Sequence, residues 1–172
     1  MWNARPARVM APVLVGLLAA CAEHPLPTQP SALTPASSMT IALEGEAGSG
    51  DGQIRDRSRA SGGRTVHLGP GERRVWTFKR SAAPMTYAVA VTYSNGQEGE
   101  NEVIRVIVDG TQVSSFKNRD SGDAIEGWNL FVTDLAGTST LGSTSHTLVL
   151  EVQGGDGCVE IDKVTLNAGS VP

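Results

Sequence analysis

Met85-Thr-Tyr87-Ala-Val89-Ala-Val91-Thr-Tyr93-Ser94-Asn95-Gly96 decides how this chain folds. From Tyr87 to Tyr93 every second residue is valine or tyrosine, and alanine or threonine stands between them. A period of two puts Tyr87, Val89, Val91 and Tyr93 on one face of an extended strand. Ser-Asn-Gly then closes it as a turn. The alternation continues in both directions. Upstream, Trp76 and Phe78 alternate in RRVWTFK. Downstream, Ile104, Val106 and Val108 do so in EVIRVIVDG, Leu130 and Val132 in WNLFVTD, and Leu148, Leu150 and Val152 in HTLVLEV. From Met39 onward no stretch holds helical spacing for more than about a turn.

Turn chemistry separates the runs: Gly69-Pro70-Gly71, Asp109-Gly110 and Gly154-Gly155-Asp156-Gly157. Asp109-Gly110, flanked by VIV and TQV, is the strongest hairpin signal. The pattern predicts an all-β fold of about eight or nine antiparallel strands, a sandwich or barrel. In Val159-Glu-Ile161-Asp-Lys-Val164-Thr-Leu166 the apolar parity switches, which predicts a β-bulge at Asp162-Lys163.

Composition narrows the function. The chain has 172 residues, 20 glycines, eight aromatics and a formal charge of −4. That length suits one domain. An acidic chain without a basic stripe argues against nucleic acid as a partner. Two cysteines exclude a disulfide-dense scaffold and a multi-cysteine zinc site.

The first twenty residues read as an export signal. Arg5 and Arg8 precede the short apolar core Met10–Ala20, which is too brief to span a bilayer. The signal ends Leu18-Ala19-Ala20-Cys21, which resembles the lipobox of bacterial lipoproteins. That resemblance implies cleavage before Cys21, lipidation of Cys21 and an exported protein anchored to the cell envelope, on the outer membrane in a Gram-negative cell. A plain secretory signal followed by a chance cysteine is the alternative. Residues 21–38 hold four prolines and no apolar period, the composition of an extended tether. Residues 39–168 form the domain and 169–172 a tail. Loss of Arg5 and Arg8, with no acid, deepens the charge of the mature chain to −6.

Catalytic signatures are weak. No G-x-S-x-G elbow occurs; Gly137-Thr-Ser139-Thr-Leu141 lacks the second glycine. His67 and His146 fit no metal-ligand spacing and read as strand-end residues. Cys158 reads as a small apolar core residue. The expectation is a protein that is not an enzyme. Glu44-Gly-Glu46 is more informative. On a strand two carboxylates two apart share a face and repel unless a cation sits between them. Oxygen ligands suit calcium, and Asp162 at the bulge is the natural third. Two solvated edge-strand glutamates are the alternative.

Taken together, Ile41 to Leu166 resemble the family 6 and family 35 carbohydrate-binding modules. The motifs run in family order: Glu44-x-Glu46, Ala60-Ser-Gly-Gly63, Trp76-x-Phe78, Tyr87 to Asn95, Val106-x-Val-Asp-Gly110, Trp128, Ser145 to Leu150 and Ile161-Asp162. The resemblance implies a jelly-roll β-sandwich with a structural calcium held by Glu44, Glu46 and Asp162. It also implies a glycan partner bound at the loop edge. Trp128 matches a stacking tryptophan, with burial in the core as the alternative. Asn95 is either a polar contact or a turn residue. Glu160 stands where the family carries a ligand-binding asparagine, which would disfavour acidic sugars. His67 is the nearest ring to the missing second aromatic. Those two departures leave open an envelope protein partner in place of a sugar.

Overall fold

The computed structural model describes residues 39–96, 101–155 and 157–168; the expected signal peptide, Cys21, the proline-rich segment and the tail lie outside them. The elements are β1 (Thr40–Glu44), a 3-10 turn (Gly45–Ala47), β2 (Ser49–Gly50), β3 (Gln53–Asp56), β4 (Arg64–Leu68), β5 (Arg73–Lys79), β6 (Met85–Ser94), β7 (Val103–Val108), β8 (Thr111–Lys117), the helical turn α1 (Ala124–Gly127), β9 (Val132–Leu141), β10 (Ser145–Gln153) and β11 (Val159–Ala168). Among the described residues there are eleven strands where periodicity predicts eight or nine. The excess includes β2 and β3, which are exposed throughout and lack an apolar rhythm. Backbone pairing to β5 and β4 holds them.

One sheet runs β3-β4-β11-β6-β9, with β1 also paired to β11; the other runs β2-β5-β10-β7-β8. All pairings are antiparallel, and together they form a jelly-roll β-sandwich. The alternating residues meet between the sheets: Tyr87, Val89, Val91 and Tyr93 from one, Ile104, Val106, Leu148, Leu150 and Val152 from the other, all fully buried. Burying such side chains contributes roughly 1.5–3 kcal/mol each, so this layer dominates folding. Cys158 is only partly buried and stands just before β11, so it is not a core residue.

β11 organises one end of the sandwich. Residues 159–161 pair with β4 and residues 163–167 pair with β1, both along the same edge. Between them the register against β6 shifts from Ile161 to Lys163. The bulge is where the parity switch predicts it, with Asp162 the extra residue. At the other end of β11, the Ala168 amide donates to the Met39 carbonyl at 2.9 Å, so the described chain begins and ends side by side.

The segment WNLFVTD departs from its expected strand. Trp128 caps α1 in helical conformation, and the Asn129 and Leu130 amides continue its turns to the carbonyls of Glu126 and Gly127. β9 therefore starts only at Val132.

The Asp109-Gly110 hairpin forms as a two-residue turn with φ of 49° and 78°. Two successive positive φ values give the backbone twist that antiparallel strands need, and Gly110 supplies one without steric cost. The Asp109 carboxylate then reaches β10, accepting from the Thr147 amide at 2.8 Å and lying 2.7 Å from His146 Nδ1. The Gly142 carbonyl, 3.0 Å from His146 Nε2, and next the Asp109 carboxylate favour the imidazolium, so His146 titrates above its usual 6.5. This stabilisation is complete below pH 6.5 and is lost as pH rises through the raised value. Thermal unfolding of the wild type is expected to weaken from pH 6 to 8 more steeply than that of His146→Gln. Parallel melting curves would remove the pair from the account.

Candidate functional site

Arg57, Thr65 and His67, close together in the chain, meet the distant Glu160 around the first half of β11. Glu160 is 0 % exposed. Arg57 grips it with both arms of the guanidinium, Nε to Oε2 at 2.7 Å and Nη2 to Oε1 at 2.5 Å. Thr65 Oγ1 donates to Oε2 at 2.8 Å. His67, opposite Glu160 in the β4–β11 register, places Nδ1 3.4 Å from Oε1 without an aligned hydrogen bond. Burial pushes the Glu160 pKa up, but His67, Arg57 and Thr65 outweigh it and hold the carboxyl down at about 2. A buried carboxylate needs this pairing to exist as an ion.

This position corrects a sequence expectation. Glu160 is fully buried and paired with Arg57, so it is not the exposed carboxylate that the expectation needs. Asn95, expected as a polar contact or a turn residue, is also inside. It is 1 % exposed and anchors the loop end internally: its side-chain amide donates to Glu102 Oε2 at 3.3 Å, and its backbone carbonyl accepts from the Ser121 amide at 2.8 Å.

The rings of His67 and Trp128 lie side by side. Their centroids are 5.7 Å apart with planes tilted by 52°, an arrangement aromatic rings favour. Trp128 is half-buried, neither a core tryptophan nor a freely projecting one. Next in the chain, Asn129 ties α1 to the loop after β3. It accepts from the Arg59 amide at 3.0 Å and donates to Ser58 Oγ at 2.9 Å. Beside it opens a cavity of about 540 Å³ lined by Asp56, Arg57, Ser58, Gly63, Ile125 and Asn129. Ile125 is 88 % exposed at its lip.

The acids gather on the other side of the same loop. Ser61 connects two of them, its amide donating to Asp162 Oδ1 at 2.6 Å and its hydroxyl to Glu44 Oε1 at 3.0 Å. Glu46 Oε1 reaches the neighbouring Gly62, 2.7 Å from where a side chain would begin. Glu44 and Glu46 are not brought there by strand periodicity, since Gly45–Ala47 is a 3-10 turn. Arg74 holds that turn, donating to the Gly45 and Glu46 carbonyls at 3.2 and 3.1 Å, and Trp76 Nε1 donates to the Glu44 carbonyl at 2.8 Å. Glu44 Oε2 and Glu46 Oε2 are both buried with no hydrogen-bond partner. Burial, followed by the charges of Glu44 and Glu46, pushes Asp162 above the usual carboxylate range against the Ser61 amide and Lys163. Two orphaned oxygens beside a third acid are a donor set that a hard cation would satisfy. Among the described residues, however, no three His, Cys, Asp or Glu side chains form a group arranged to hold a metal ion.

No sequence motif marks Arg57 or Asn129. A buried last-strand acid demands a cation, but Arg55, Arg57, Arg59 and Arg64 crowd one segment and spacing does not choose among them.

A scan against protein-family models and a search of curated proteins both found no match. Solved structures do match. A family 35 carbohydrate-binding module from an environmental isolate shares 18% identity, with 77% of this chain and 99% of that one covered and a TM-score of 0.60. A family 35 module from Clostridium thermocellum shares 18% identity over 74% and 97%, with a TM-score of 0.59. An exo-β-1,3-galactanase from Phanerochaete chrysosporium, solved with β-1,3-galactotriose, shares 22% identity at a TM-score of 0.60; the match covers 74% of this chain but only 29% of the galactanase. The fold is that of the family 35 modules.

The Arg57–Glu160 pair yields a stability prediction. Arg57→Met leaves a buried carboxylate without its cation and is expected to cost about 3–5 kcal/mol. Adding Glu160→Gln to that variant should recover most of the loss in denaturant unfolding. A cost under about 1 kcal/mol for Arg57→Met would show that Thr65 and His67 suffice.

Proposed function

We propose that this chain is a non-catalytic carbohydrate-binding module. The single observation that carries the reading is the His67–Trp128 ring pair beside an open cavity, braced from beneath by the Arg57–Glu160 ion pair. A pyranose has an apolar face that stacks on indole and a rim of hydroxyls that needs donors and acceptors. Trp128 would supply the stacking surface. Asn129, Ser58 and the outer edge of Arg57 would supply polar contacts. Glu160 serves behind them, holding Arg57 and His67 in place, and Asn95 fixes the adjoining loop. The likeness to modules joined to glycan-active enzymes supports the reading.

Calcium belongs to the same proposal as a structural ion. Glu44, Glu46 and Asp162 would hold it, and the orphaned Glu44 and Glu46 oxygens support its fit. Bound there, the ion would neutralise charge that otherwise opposes folding and would tie the end of β1 to the bulge of β11. It would take no part in sugar contact.

A second reading keeps the fold and replaces the sugar with an envelope protein. Ile125, apolar and exposed at the lip of the cavity, favours it. In either case the chain is proposed to be exported and lipid-anchored through Cys21. Among the described residues no helix is long and apolar enough to cross a membrane. Retention of Cys21→Ser in the membrane fraction would overturn the anchor.

A glycan array probed with the wild type and Trp128→Ala, each with and without chelator, tests the rest. Binding is expected, and loss of the indole should weaken it by about tenfold or more with folding intact. No binding to any glycan would transfer the site to a protein partner. Chelation is expected to lower the melting temperature of the wild type but not of Glu46→Gln. A chelator-insensitive wild type would remove calcium.

A further inference from the structure

At the opposite end of the sandwich a cation is buried without an anion. Arg80 follows β5 and turns inward, 6 % exposed. Its Nε donates to Tyr87 Oη at 2.7 Å, and its Nη1 donates to the carbonyls of Leu141 at 2.7 Å and Ala82 at 3.1 Å. The guanidinium carbon lies 5.3 Å from the Tyr87 ring centre. Nη2 is buried and has no hydrogen-bond partner. Among the described residues no carboxylate pairs with Arg80, and a guanidinium keeps its proton at any ordinary pH. A charge with unspent donors inside a protein is costly unless something outside the chain completes it.

The surroundings indicate what completes it. Arg80 lines an open cavity of about 460 Å³ together with Lys79, Ser81, Ser143, Thr144 and Ser145. The lining holds two cations and four hydroxyls and no acid. The nearby acid Asp109 is turned to His146 and the Thr147 amide. His146 in turn shares the Gly142 carbonyl with Arg80, whose Nη1 lies 3.4 Å from it.

We propose that this cavity binds a tetrahedral phosphate oxyanion, with Arg80 at its floor, Lys79 at its rim and the Ser143–Ser145 hydroxyls along its side. Fixed N–H donors, an ammonium and hydroxyls are the groups that phosphate oxygens select. The position suggests two sources for the phosphate. Tyr87 Oη, which accepts from Arg80, donates to Met39 Sδ at 3.4 Å, so the cavity adjoins the point where the proposed anchored segment enters the domain. A lipid headgroup and free phosphate share this chemistry. The proposal is independent of sugar binding at the other end.

Calorimetric titration of inorganic phosphate into the full-length Cys21→Ser protein, at constant ionic strength, tests it. Binding is expected, and the exposed-site variants Lys79→Ser and Thr144→Val should each weaken it threefold to tenfold with unchanged melting. Arg80→Met should abolish it; if that variant does not fold, the other two decide. Absence of binding, or affinity unchanged in both exposed-site variants, overturns the proposal. Vesicles of phosphatidylglycerol and of phosphatidylcholine, offered to the same unlipidated protein, separate the sources. Binding to the former alone, lost with Lys79→Ser, identifies a headgroup. Phosphate binding without vesicle binding identifies the free anion.

Discussion

One extra residue in the last strand governs the loop end of this sandwich. Asp162 divides β11 into a stretch that pairs with β4 and a stretch that pairs with β1. The chain turning away from β1 must pass directly over that junction. It does so at Gly45, where even a methyl group would sit 2.2 Å from the Ile161 carbonyl oxygen. Only glycine permits that approach. The close crossing sets Glu44, the partner of Lys163, and Glu46 immediately before and after the glycine that meets the bulge. The change of partner along β11 also leaves Glu160 facing β4, where Thr65, His67 and Arg57 reach it.

Two kinds of buried charge therefore lie within three residues of each other, and they behave oppositely. Glu160 is overcompensated, with a bidentate cation, a hydroxyl and an imidazole around it. Asp162 has one amide and a lysine at 3.9 Å against two neighbouring carboxylates. The first arrangement is complete within the chain and stiffens the floor under the ring pair. The second is incomplete. A rigid platform presents its aromatic surface without first having to order it, which reduces the entropy lost on binding.

Periodicity carried the core well because a half-buried strand leaves its pattern in the residues themselves. Tyr87 to Tyr93 and Leu148 to Val152 are as buried as their alternation requires, and the bulge was legible because one added residue reverses parity. Features settled by distant partners were not legible. Trp128 reads as the opening of a strand but ends a helical turn, because hydrogen bonds to Glu126 and Gly127 prevail there over alternation. Asn95 has the chemistry of a turn residue, and Glu102, reached only through folding, draws it inside. Arg57 has three similar neighbours in sequence, and the β3–β4 hairpin alone brings it to Glu160. The carboxylates Glu44, Glu46 and Asp162 each reach the Ser61–Gly62 loop, and Glu46 does so from a 3-10 turn pinned by Arg74 and not from the strand period that suggested it.

The bond between the Ala168 amide and the Met39 carbonyl has a consequence for architecture. Entry and exit lie at one pole, and the ring pair lies near the far end of β11, about eight residues or roughly 26 Å away. A unit wired this way can be spliced into another chain, or hung from either end of one, without reshaping its neighbours and without covering the ring pair. The same fold makes up nearly all of one solved module and under a third of a galactanase chain, which such wiring makes easy.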